Sequence, residues 1–147
     1  MSDCNISLRI KIENTDPSKK LNFEILLDNT RIFYSDHIID PVDFSYKLND
    51  DAETNHILEF VMTSKTSDCT QIDSQGNIVS DAMLSVKFIE FDEIDIFNTF
   101  TEISVYKHNF NGTKPAVQEK FYGNIGCNGR VEFKFSTPFY LWLLENM

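Results

Sequence analysis

Tyr122-Gly-Asn-Ile-Gly-Cys-Asn-Gly-Arg-Val-Glu-Phe-Lys-Phe-Ser-Thr-Pro-Phe-Tyr-Leu-Trp-Leu-Leu-Glu-Asn-Met147 is the stretch whose reading decides the fold. It opens on Gly123, Gly126 and Gly129, three residues that accept positive φ without steric cost and so predict a turn. In the next segment Val131, Phe133 and Phe135 fall on one side and Glu132, Lys134 and Ser136 on the other. A period of two belongs to a strand with one buried face. Pro138 stops it, having no amide for the ladder. The run Phe139-Tyr-Leu-Trp-Leu-Leu144 that follows is the most apolar in the chain, and leaving it in water is costly. Either it covers an open end of its own domain as a helix or strand, or Phe139, Tyr140, Trp142 and Leu143 are aromatic and aliphatic anchors on a partner.

The same alternation recurs upstream. Ile6, Leu8, Ile10 and Ile12 oppose Ser7, Arg9 and Lys11, and Val42, Phe44, Tyr46 and Leu48 repeat the spacing. Phe23–Leu27 and Arg31–Tyr34 flank Asp28-Asn29, a pair that tolerates left-handed backbone, and predict a hairpin. In His56–Met62, His56, Leu58, Phe60 and Met62 alternate against Ile57, Glu59 and Val61, which predicts a strand buried on both faces. In Met83–Phe91, Leu84, Val86 and Phe88 share one face, with Ile89 and Phe91 on the other. A short helix is expected over Asp92–Phe100, a strand over Thr101–Phe110, a turn at Asn111-Gly112, and a polar loop over Thr113–Lys120. Between the strands, Thr63–Asp81 is polar and folds back at Asp73-Ser-Gln-Gly-Asn77 as an extended hairpin. Many short strands with regular turns predict one all-β domain over 1–147: an antiparallel β-sandwich of jelly-roll type with at most one or two short helices and a C-terminal aromatic segment, 138–147. A small closed barrel has the same periodicity.

Composition narrows function. The chain has 147 residues, thirteen of them Phe, enough for one domain with a large apolar core. A net charge of −10 argues against nucleic acid and against an anionic membrane surface as partners. No apolar run is long enough for a membrane-spanning helix, and Met1-Ser-Asp-Cys-Asn5 lacks the basic start and apolar core of a secretory signal. Cys4, Cys69 and Cys127 are far apart and form no CxxC, so the expectation is reduced thiols with neither a disulfide framework nor zinc.

Candidate chemistry is sparse. His37, His56 and His108 have no second ligand at metal spacing. Cys127 sits in a glycine-rich turn with only Arg130 near it to lower its pKa. Glu90 with Asp92 or Asp95 falls where a strand ends, a usual place for solvent-facing charge. Asn111-Gly-Thr113 matches an N-glycosylation sequon but reads as an ordinary turn. No catalytic constellation emerges, and a non-enzymatic protein without a cofactor is expected. The one candidate metal site is for calcium: Asp68, Asp73, Gln75, Asn77 and Asp81 offer hard oxygen ligands in one loop, at a spacing unlike an EF-hand.

Two resemblances follow from these residues. Asn55-His-Ile-Leu-Glu-Phe-Val-Met62, the polar insertion, and Asp81-Ala-Met-Leu-Ser-Val-Lys-Phe-Ile-Glu-Phe-Asp-Glu-Ile94 together resemble calcium-dependent carbohydrate-binding β-sandwich modules. Phe23-Glu-Ile-Leu-Leu-Asp-Asn-Thr-Arg-Ile-Phe33 is similar to the early hairpin of those modules. That resemblance implies a domain that binds host surface glycan with calcium in the Asp68–Asp81 loop. Phe110-Asn-Gly-Thr113, Phe121-Tyr-Gly-Asn-Ile-Gly-Cys-Asn-Gly129 and Thr137-Pro-Phe-Tyr-Leu-Trp-Leu-Leu-Glu145 resemble small virion proteins of contractile-tailed phages, particularly those infecting marine cyanobacteria. It implies a capsid-decoration, tail or fibre-associated protein, made in the host cytoplasm and located in the virion, which docks on other virion proteins and on itself. The virion protein is the leading expectation and the carbohydrate-binding module its alternative.

Overall fold

The computed structural model describes residues 5–50 and 52–146. Among the described residues there are thirteen strands, two α-helices and one 3-10 turn (Ser67–Cys69), and every strand pair is antiparallel. One sheet runs β12 (Asn124–Ile125), β8 (Leu84–Phe91), β1 (Asn5–Asn14), β4 (Val42–Asn49), with β9 (Ile94–Asp95) also on β8. The other runs β11 (Val117–Lys120), β10 (Val105–His108), β13 (Gly129–Thr137), β5 (Thr54–Met62), β2 (Phe23–Leu27), β3 (Thr30–Ser35). The two sheets form the expected antiparallel β-sandwich. A separate two-stranded arm pairs β6 (Thr70–Ile72) with β7 (Ile78–Asp81).

The core lies where alternation places it. Ile6, Leu8, Ile10 and Ile12 of β1 are buried, as are Val131, Phe133 and Phe135 of β13. Phe100, on α1 (Phe97–Ile103), meets Phe60, Phe121 and Phe133 with ring centroids 5.5, 5.7 and 5.1 Å away. Tilted and edge-on rings of this kind add to the gain from burial alone. On β5 the outer face is covered only toward the end of the strand: Val61 is buried and Glu59 is buried against Arg130 at 2.8 Å, whereas Ile57 is exposed, so burial on both faces holds for only part of it.

Several sequence expectations are corrected. On β8 the period of two breaks at a bulge, where Lys11 pairs with Phe88 but Ile12 pairs with Val86, leaving Lys87 as the extra residue. The bulge reverses the phase, so Leu84, Val86, Ile89 and Phe91 all face the core while Phe88 turns outward beneath Arg9. The helix starts at Phe97, because Asp92 and Glu93 take left-handed φ and turn the chain into β9 first; the strand expected from Thr101 begins only at Val105. Val117–Lys120 is an edge strand, not a loop. Of the three turn glycines only Gly123 has positive φ, at 107°. Gly129 is required for closeness instead, since a Cβ there would lie 2.3 Å from the Lys107 carbonyl oxygen.

Candidate functional site

The C-terminal run is a helix, α2 (Phe139–Asn146), docked across one end of the sandwich. Asp50 accepts the Phe139 amide at 2.7 Å, which satisfies one orphan donor of the first turn. Phe139 and Leu143, four apart and so on one helix face, are buried, and Phe139 stacks on Phe91 at 3.9 Å. Burial of each such side chain is worth about 1.5–3 kcal/mol. Trp142 packs edge-on to Phe133 at 5.5 Å and is partly buried. Of the four expected anchors, Phe139 and Leu143 are therefore spent on the chain's own core, for the reason that makes them apolar. Tyr140 is exposed and donates its hydroxyl to Asp92 at 3.0 Å. The outer face is made instead by Tyr140, Leu141 and Leu144.

The opposite end is closed by hydrogen bonds. Lys65 is buried, and its ammonium donates to Asp81 at 2.5 Å and to the Gly126 carbonyl at 2.6 Å. Asn128 is fastened to the Lys65 backbone from both sides, accepting its amide and donating to its carbonyl, each at 2.8 Å. Tyr106 completes the node: its hydroxyl donates to the Cys127 carbonyl at 2.5 Å and accepts the Cys127 amide at 2.8 Å. Burial pushes the Tyr106 hydroxyl well above its ordinary pKa, and burial likewise raises that of the Cys127 thiol, against the pull of Lys65. A raised thiol pKa is the reverse of what a cysteine nucleophile needs.

Beside this node, the ends of β10, β11 and β13 enclose a cleft of about 380 Å³ lined by Lys107, His108, Asn109, Gln118 and Asn128, with Ala116 and Val117 as apolar wall. Pairing places them together: His108 is opposite both Val117 and Gly129, and Lys107 opposite Gln118. The His108 ring is buried and bonded to Glu119 at 2.9 Å. The rim is a turn in which Phe110 and Asn111 hold φ of 55° and 58°, an uncommon conformation for a bulky residue. It is held by Asn109 accepting the Gly112 amide at 2.8 Å and Asn111 accepting that of Asn128 at 2.7 Å. Backbone outliers of this kind concentrate at binding sites. Sequence reasoning missed the cleft: its amides are scattered over twenty residues, and only the Asn111-Gly112 turn signalled anything there.

The calcium ligands expected in 68–81 do not converge. Asp73 closes its own turn, accepting the Gln75 and Asn77 amides at 2.9 Å each, which also lowers its pKa. Asp68 is bonded to Thr66, and Asp81 accepts from Thr70 at 2.6 Å as well as from Lys65. The lysine ammonium thus takes the place beside Asp81 that a cation would need. Among the described residues no three His, Cys, Asp or Glu side chains are grouped closely enough to hold a metal ion. The histidines are likewise separate: His56 meets Asp28 at 2.7 Å, and His37 the Pro17 carbonyl at 2.9 Å. Glu90 is the cross-strand partner of Asp95 and lines one cleft with Asp92, but each carboxylate there has a structural partner: Glu90 lies 3.9 Å from Arg9, Asp92 accepts the Ser7 amide and the Tyr140 hydroxyl, and Asp95 accepts the Phe97 amide at 2.8 Å. Cys69 and Cys127 are free thiols, and Cys4 lies outside the described residues. Among the described residues no helix is long and apolar enough to cross a membrane.

No protein-family model and no curated protein matches the chain. Among solved structures it is similar to vCBM60 in complex with galactobiose, at 11% identity over 86% of this chain and 96% of that one, with a TM-score of 0.49. It is also similar to the selenomethionine form of vCBM60, described with two families of calcium-dependent carbohydrate binding modules linked by circular permutation. There the identity is 11%, over 87% of this chain and 89% of that one, with a TM-score of 0.47. At such identity no residue of either neighbour is carried onto this chain.

Proposed function

We propose that this chain is a non-catalytic binding domain for neutral carbohydrate, and that the cleft between β10, β11 and β13 holds the sugar. The observation that carries the proposal is the side chains around that cleft: Asn109, Gln118 and Asn128 with Ala116 and Val117 beside them. Gln118 offers a sugar hydroxyl both a donor and an acceptor; Asn109, whose oxygen accepts the Gly112 amide, and Asn128, held by Lys65 from both sides, offer their remaining N–H groups, and the small apolar wall suits the C–H face of a pyranose. The net charge of −10 disfavours acidic sugars. Carbohydrate binding is also what both structural neighbours are named for, but the cleft supports the reading without them. No carboxylate lines this cleft, so the proposed sugar contacts are made by the carboxamides and not through calcium.

Titration calorimetry against neutral oligosaccharides, with and without a chelator, tests it. Gln118 is exposed and makes no side-chain hydrogen bond among the described residues, so Gln118→Ala removes a sugar contact without touching the fold. Binding that survives chelation and falls at least tenfold in the variant is expected. Absence of binding across the panel, or binding indifferent to Gln118→Ala, would refute the proposal.

A second reading is a protein that docks on other subunits, of which a virion component is the form the sequence resemblance implies; the exposed outer face of α2 supports the docking and not the virion. Cutting the chain before Pro138 would remove core residues as well, so the paired substitution of Leu141 and Leu144 by Asp is the cleaner probe of particle incorporation. Unchanged incorporation would count against docking through α2.

A further inference from the structure

The outer face of α2 and the ground around it have a composition that specifies a partner. Tyr140, Leu141 and Leu144 are 42%, 58% and 73% exposed, and positions 140, 141 and 144 lie on one side of a helix. Carboxylates surround them. Asp50 sits at the first turn and Asp92 at the Tyr140 hydroxyl, with Glu93 next to it. Glu53 and Glu145 line a cleft of about 440 Å³ together with Leu141 and Trp142. None of these five carboxylates is in an ion pair among the described residues. Two cations border the face: Arg9 is bound to Asp43 and shares a cleft with Asp92 and Glu93, and Lys134 lines the neighbouring groove beside His56 and Trp142, which leaves Glu53 and Glu145 as the carboxylates farthest from a neutralising charge. Desolvation raises the Tyr140 pKa, and the bond to Asp92 with the charges of Asp92 and Asp50 adds to it.

We propose that this face docks a basic, amphipathic segment of a protein partner, its aliphatic side chains on Leu141 and Leu144 and its lysines or arginines against Glu53, Asp92, Glu93 and Glu145. Complementary charge selects this occupant. A second copy of the chain would bring like charges together at the rim, and an anionic lipid surface would be repelled by them. The proposal deepens the docking reading of α2 and is independent of the carbohydrate reading.

The test uses the full chain and a fluorescent synthetic helix with leucines on one face and lysines on the other, followed by anisotropy. Saturable binding that weakens with salt is expected. It should fall at least tenfold when Leu141 and Leu144 are both replaced by Asp, and at least tenfold when Glu53 and Glu145 are both replaced by Lys. Replacing Asp36 and Asp40 by Lys, on the exposed loop at the other end of the sandwich, should leave it unchanged. Equal losses from all three pairs would mean attraction to the overall charge and would overturn the proposal, as would no binding. Light scattering separates the two failures. A dimer of the parent chain that dissociates on the Leu141/Leu144 change keeps α2 as a docking face but overturns the basic partner. A monomer throughout, with no peptide bound, removes both.

Discussion

At one end of the sandwich Phe139, Trp142 and Leu143 press on Phe91, Phe133 and Phe135, and carbon fills the opening. At the other, Lys65, Asn128 and Tyr106 tie the glycine-rich turn and the β6–β7 arm together through hydrogen bonds. The difference separates two jobs that every binding domain must place somewhere. Close-packed aromatic carbon is stable but has nothing left to offer a polar ligand. A network of amides and hydroxyls is more demanding to build, because each buried group needs its partner, yet it leaves spare donors and acceptors along its edge. The cleft at β10, β11 and β13 lies on that edge.

Phe139→Ala should show the largest effect, since it opens a cavity against four aromatic rings, those of Phe91, Phe135, Tyr140 and Trp142. About 3–5 kcal/mol should be lost in urea unfolding, and a loss under 1 kcal/mol would mean that α2 is not part of the core. Lys65→Met strikes the polar end. A fully buried pair costs about 3–5 kcal/mol to break, and because Asp81 keeps some contact with water about 2–3 kcal/mol is expected here. The β6–β7 arm should then be cut rapidly by protease, while α2 stays intact. Cleavage spread evenly over the chain would show that the two ends are not independent.

Tyr106→Phe removes a hydroxyl that bonds Cys127 twice and should cost about 1–2 kcal/mol. Its pH dependence carries a sign. Burial holds the native Tyr106 proton above the ordinary pKa of 10.0, so beyond that pH the unfolded chain gives up a proton that the folded chain keeps. Stability therefore falls as pH rises past about 10 in the parent protein, and this part of the fall is absent in the variant. Urea midpoints measured between pH 8 and 11 should converge; parallel curves would show that the hydroxyl is not buried. Smallest of all, Gln118→Ala should leave stability within about 0.5 kcal/mol, as an exposed side chain with no partner does.

How much of this was readable in the sequence depended on whether one residue type carried the signal. In β1, β4 and β13 apolar and polar side chains alternate, so strand and buried face were both legible. Asp28-Asn29 gives a left-handed turn, with φ of 52° and 66°, because short polar side chains tolerate it. Val117-Gln-Glu-Lys120 was not legible: its pairing with β10 is made by backbone atoms at a sheet edge, and its side chains show no alternation. The Phe88 reversal was hidden because a bulge has no signature in a run of apolar residues. Phe139–Leu144 was legible as buried material but not as a helix, since nearly every position is apolar and no period shows. The carboxylates of 68–81 suggested a metal because their spacing in sequence says nothing of Lys65, which reaches Asp81 from outside the arm. The amide cleft left almost no trace, as its members meet only through strand pairing.

The most direct measurement is an amide ¹H–¹⁵N titration of the full chain with neutral oligosaccharides. Shifts centred on Asn109, Gln118, Asn128 and Gly129, with α2 unmoved, are the expected result. Shifts centred on α2 or on the Asp73–Asn77 turn, or none at all, would contradict the assignment of recognition to the polar end.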